Sequence, residues 1–89
     1  MKYLGIDFGL RRIGLSTSDG ILASPFKIIE VKNFKDAVSR VQKIIDDEQF
    51  DRVVVGLPQG KMGKIVLWFV AALRKNKIVS TGNKRDHAG

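Results

Sequence analysis

Tyr3-Leu4-Gly5-Ile6-Asp7-Phe8-Gly9, with Arg11-Arg12-Ile13-Gly14-Leu15 close behind, decides how the rest of the chain is read. An apolar run ends in one aspartate, and a second run begins after a short link. A carboxylate at the tip of a buried strand is costly unless it is paired or binds a cation. Glycine at position 9 lets a ligand approach the backbone. Arg11 and Arg12 in the adjoining turn suit a phosphate-bearing partner. The stretch predicts a hairpin carrying a metal-and-phosphate site.

Working outward, residues 2–8 and 12–18 read as antiparallel strands, because the link between them is short. Asp19-Gly20 signals a turn. Pro25 opens a third strand, Phe26 to Val31, and Pro25 and Lys27 suit a sheet edge. Asn33 is a helix N-cap with Asp36 three residues on. Ala37, Val38, Val41, Ile44 and Ile45 continue at helical spacing, so a helix is expected over 34–48. Val53 to Leu57 is a β-branched run typical of a buried parallel strand, and Pro58 stops it. Gln59 to Gly63 reads as a loop, 64–75 as a second helix and 77–80 as a fifth strand.

The expected order is β-β-β-α-β-α-β in an α/β fold, with a mixed sheet of order 3-2-1-4-5. Residues 1–80 form one domain, and 81–89 are a polar tail expected to be disordered. The second helix is apolar all round, which calls for cover. Ile65, Trp68, Phe69, Ala72 and Leu73 are expected on the sheet. Val66, Leu67 and Val70 would then face outward, toward a missing part of the fold or the partner of a homodimer.

Sixteen Lys and Arg against nine Asp and Glu leave a net charge of +7, which favours a polyanionic partner such as RNA or DNA. Asp46, Asp47, Glu48 and Asp51 crowd one segment, which the topology carries away from the Asp7 end. Arg11, Arg12, Lys61 and Lys64 gather at that end, beyond the carboxyl ends of the parallel strands. Asp7 reads either as a ligand for Mg²⁺ or Mn²⁺, which prefer carboxylate oxygens, or as a turn aspartate that closes the hairpin. Those four residues are the candidates for binding nucleic acid through its phosphates, and Gly9 is open to backbone approach. The spacing around Lys64 is not a phosphate-binding Walker loop. Asp19 reads as a turn residue, and His87 as a solvated tail residue. No cysteine, signal-peptide pattern or membrane-length apolar run is present, so a cytoplasmic location is expected.

Gly5-Ile6-Asp7-Phe8-Gly9, Arg12-Ile13-Gly14 with Ser18-Asp19, and Val54-Val55-Gly56-Leu57-Pro58 resemble the RuvX/YqgF family of Holliday junction resolvases and pre-16S rRNA nucleases. The resemblance covers roughly residues 1–79 and implies an RNase H-like fold. It implies that Asp7 is a metal-binding catalytic carboxylate of a phosphodiester hydrolase. The family also uses an Asp-Glu pair after the fifth strand and an Asp on a C-terminal helix. Here that stretch reads Ser80-Thr81-Gly82-Asn83, so the chain resembles a member shortened or altered near residue 80 and lacking that helix.

Three functions follow as expectations. The first is a metal-dependent endonuclease acting on structured nucleic acid, in precursor 16S rRNA processing or Holliday junction resolution. The second is a catalytically inactive nucleic-acid-binding module, which the missing acids favour. The third, a fragment of an actin-like ATPase or sugar kinase, shares the fold but needs a second lobe.

Overall fold

The computed structural model describes residues 1–73 and 78–83. Strands β1 (Tyr3–Asp7), β2 (Arg12–Ser18) and β3 (Ala23–Glu30) precede α1 (Phe34–Glu48). β4 (Arg52–Leu57), α2 (Lys61–Leu73) and β5 (Ile78–Asn83) follow. The five strands form one sheet of order β3-β2-β1-β4-β5, as the sequence predicts. β2 pairs antiparallel with β1 and β3, while β4 pairs parallel with β1 and β5. The register shifts between Leu15 and Ser16, and Pro25, which lacks a ladder donor, sits on the edge strand beside that irregularity.

Leu4 and Ile6 of β1, Ile13 and Leu15 of β2, and Val53 and Val55 of β4 are buried on one face of the sheet. Ala37, Val41 and Ile45 of α1 pack there with Val66, Phe69, Val70 and Leu73 of α2. Both helical crossovers step the same way across the sheet, from β3 to β4 and from β4 to β5. Right-handed connections therefore place both helices on the same face. Tyr3, Gly5 and Asp7 alternate with the core residues of β1 and belong to the opposite face.

Local signals fix α1. Asn33 Oδ1 accepts the Asp36 backbone N–H at 2.8 Å, and the Asp36 carboxylate accepts the Lys32 N–H at 2.9 Å. These bonds satisfy donors that a helix start otherwise leaves open. The helix closes at Gln49, which is left-handed (φ 56°) and donates its N–H to the Ile45 carbonyl at 3.2 Å. Lys2 anchors the return to β4. Its backbone N–H donates to Asp51 at 2.6 Å, its ammonium donates to the Glu48 carbonyl at 2.9 Å, and it lies over the buried Phe50 ring.

Four expectations change. β3 runs from Ala23 to Glu30 rather than from Phe26 to Val31, so Pro25 lies inside the strand instead of opening it. α2 begins at Lys61 rather than 64, because the Gly63 N–H donates to the Gly60 carbonyl at 3.0 Å and closes a turn ahead of Lys64. The apolar helix also presents a different face. Val66 and Val70 are buried, whereas Trp68 is 64% and Leu67 50% exposed. A homodimer surface centred on Val66, Leu67 and Val70 is thus excluded for two of its three members, which the chain's own core occupies. Finally, β5 continues to Asn83, pairing Thr81, Gly82 and Asn83 with Val55, Gly56 and Leu57. Lys77 and residues 84–89, including His87, lie outside the described residues.

Replacing Asn33 by Ala should cost about 1 kcal/mol in denaturant unfolding, the usual worth of an N-cap. Gln49→Gly should stabilise by roughly 1 kcal/mol, since glycine adopts the left-handed conformation without Cβ strain. The Lys32 N–H and the Arg40 guanidinium hold Asp36 below the usual carboxylate pKa. Its contribution is therefore present above about pH 4 and fades as pH falls through the lowered folded-state value. Asp36→Asn should flatten that part of the stability–pH curve.

Candidate nucleic-acid interface

Asp7 is the last residue of β1, exposed, and paired in register with Gly14 of β2. Phe8, immediately after it, turns back into the core at 5% exposure. Its ring lies 4.6 Å from that of Phe69 and 6.4 Å from that of Phe34, centroid to centroid. Phe69 and Phe34 are 6.3 Å apart. This cluster ties the end of β1 to the first residue of α1 and the middle of α2. The backbone that carries Asp7 is thereby held from below.

The link after Asp7 is as tight as the sequence suggests, for a different reason. A Cβ on Gly9 would sit 2.5 Å from the Arg12 carbonyl oxygen. The hairpin's own backbone occupies the space that glycine frees, so the turn alone requires glycine at this position. The Arg11 carbonyl accepts the Val31 N–H at 2.9 Å, which joins the hairpin to the chain entering α1.

The predicted cations share one end of the sheet but divide between its faces. Arg12 alternates with buried Ile13 and shares a face with Gly14, the register partner of Asp7, so it belongs to the Asp7 face. A groove of about 970 Å³ on this face includes Gly5, Asp7, Gly14, Ser16, Val54 and Gly56 in its lining. Lys61 and Lys64 instead occupy the first turn of α2, in the helix layer across the rim. Lys32 and Lys35, exposed at the start of α1, stand at the same end. Sequence reasoning missed these two, although their place beside the Asn33 cap marks them as rim residues once the strand order is known.

The acids lie mostly at the other end. Asp46, Asp47 and Glu48 close α1, and Asp51 follows. Lys43 pairs with Asp47 at 3.1 Å and Lys2 with Glu48 at 3.7 Å. Asp19 is also at this end and is a turn residue, as read. Its carboxylate accepts the Ile21 and Leu22 N–H groups at 3.0 and 3.3 Å, and these hold its pKa below the usual value.

The donor set limits metal chemistry. Among the described residues, no three His, Cys, Asp or Glu side chains gather to hold an ion. Asp7 supplies a single carboxylate, whereas two ions clamping a phosphodiester need several converging acids. The described residues do not make that two-metal centre.

The model of the RuvX family, described as Holliday junction resolvase, matches residues 1–74. A protein of Sulfurimonas denitrificans named "Putative pre-16S rRNA nuclease" is 46% identical over 61 residues, covering 67% of this chain and 47% of its own. One of Desulforudis audaxviator with the same name is 36% identical over 87 residues, covering 89% of this chain and 62% of its own. The chain thus spans about half the length of such relatives. Among solved structures, Thermus thermophilus RuvC in complex with a Holliday junction superposes with a TM-score of 0.67 at 19% identity, over 94% of this chain and 65% of that one. A Bacteroides thetaiotaomicron protein with an actin-like ATPase fold reaches 0.58 at 11%, over 98% of this chain and 35% of that one. At such identities these likenesses establish the RNase H-like fold alone.

Gly9→Ala should lower stability by about 2 kcal/mol, because the added methyl meets fixed backbone rather than a movable side chain. The backbone amide resonances of Asp7 and Phe8 should shift with it.

Proposed function

The chain belongs to the RuvX family, and on that footing we propose that it serves a nuclease that cleaves structured nucleic acid. The charge distribution carries this reading. Arg11, Arg12, Lys32, Lys35, Lys61 and Lys64 ring the end of the sheet that bears Asp7, and the main acidic cluster lies at the opposite end. Such an asymmetric field orients a polyanion before contact and raises its encounter rate.

In this reading Arg11 and Arg12 grip backbone phosphates at the hairpin, Arg12 from the face that Asp7 shares. Lys61 and Lys64 hold the strand across the rim, where the first turn of α2 also turns free N–H groups toward an anion. Asp7 is the carboxylate of the cleavage centre supplied by these residues. The substrate is a four-way DNA junction or precursor 16S rRNA, the two classes for which the family and its relatives are named. Mg²⁺ or Mn²⁺ is the metal whose chemistry suits a carboxylate facing phosphates.

A second reading is favoured by the donor set. With no three metal-ligating side chains gathered among the described residues, this stretch binds nucleic acid without cutting it. The two readings separate on one preparation. Asp7→Asn should abolish Mg²⁺-dependent cleavage of a junction or precursor rRNA while preserving binding. No cleavage by the wild-type chain, with binding intact, selects the second reading. In either case log K should fall linearly with log salt, and Arg11→Ala or Arg12→Ala should each reduce that slope by about 1. Binding insensitive to salt would overturn both readings.

A further inference from the structure

Trp68 stands out because the core has no use for it. Val66, Phe69, Val70 and Leu73 fill the buried side of α2, at 8% exposure or less. Trp68 projects from the other side, 64% exposed, beside half-exposed Leu67. A large ring left in water loses the burial energy that normally fixes its place. Its neighbours on the helix are informative. Lys64 precedes it by four residues and Lys61 by seven, so the three lie along one side of α2. Both lysines are exposed. The ion pairs among the described residues lie elsewhere, at Lys2–Glu48, Arg40–Asp36 and Lys43–Asp47. α2 contains no Asp or Glu.

We propose that the Lys61–Lys64–Trp68 face of α2 is a docking surface for an unpaired nucleotide, with the indole stacking on its base and the lysines on its flanking phosphates. The inference rests on the nucleic-acid reading above and adds to it the kind of strand that is bound. Charge complementarity selects the occupant. Two exposed lysines on a helix with no carboxylate attract a polyanion more strongly than a second copy of a chain whose net charge is +7. An exposed aromatic ring adds a partner for any base whose π-face is accessible, and a base inside a duplex is not. Trp68 lies about 10 Å along the helix axis from Lys61. A strand held by phosphate contacts at the rim would pass the lysines before a splayed base reached the ring.

Trp68 is the only tryptophan in the chain, so its emission reports on the ring directly. The full chain is titrated at low salt with an unstructured 12-nucleotide single strand and with the blunt duplex of the same sequence. Binding is followed in parallel by anisotropy of an end-labelled strand. The single strand should quench Trp68 emission by more than half at saturation, and the duplex should bind with the emission nearly unchanged. Trp68→Leu should weaken single-strand affinity by roughly 5- to 150-fold, the worth of one stacked base, and leave duplex affinity within about twofold. Trp68→Phe should retain most of the affinity, which a merely greasy contact satisfied by Leu would not require.

Single-strand binding with unquenched emission, or undiminished by Trp68→Leu, overturns the platform while the nucleic-acid reading stands. Failure of both strand forms to bind overturns both. A blue shift that grows with protein concentration alone, and an oligomer lost on Trp68→Leu, assigns the face to a second copy and overturns the proposal.

Discussion

Everything in this molecule hangs on the burial of one apolar face under two helices. Leu4, Ile6, Ile13, Leu15, Val53 and Val55 supply the floor, and α1 and α2 supply the cover. Both crossovers run in the same direction, so the other face of the sheet carries no helix among the described residues. Asp7 stands at the end of that open face. Its exposure is therefore a consequence of topology rather than of a local defect in packing.

The same constraint sorts the charges. α1 starts at the end where β1, β3 and β4 finish and stops at the other end, so its N-terminal lysines and C-terminal acids are forced apart by the helix length. Asp36 belongs to the cap at the basic end, where it is engaged with Lys32 and Arg40. Cations outnumber acids at this end, where Glu30 stands opposite Arg12 in the β2–β3 register. The surface pairs that do form, Lys43–Asp47 and Lys2–Glu48, are exposed and contribute little to stability. Their main consequence is that they neutralise acid far from the site.

Much of the fold could be read from the chain because independent local signals agreed. Alternation at Ile13 and Leu15, the Asn33 cap, the β-branched run at Val53 and the stops at Gly20 and Pro58 each mark an element, and together they leave one strand order. The site was less legible. Asp7, Arg11 and Arg12 are adjacent in sequence and so visible as a group. Lys32 and Lys35 join them only because β3 finishes at the same end of the sheet as β1, with β2 between them, a relation no local pattern contains. Gly9 looked like an opening for a ligand, and its spare volume turned out to be filled by the Arg12 carbonyl.

α2 shows where sequence information ends. A helix apolar on every side has no face that its own periodicity selects, so the orientation expected for Trp68 and Val66 was reversed. Its true start at Lys61 and its packing against Phe8 and Phe34 settled the matter. By itself, the sequence determined the order of elements, the strand arrangement and the carboxylate at the tip of β1, because propensity, capping and alternation act over a few residues. Only the tertiary structure decided which side of α2 meets water, which cations share a face with Asp7 and what holds that strand end in place. Those outcomes depend on surfaces meeting across the core, and no short window of sequence carries them.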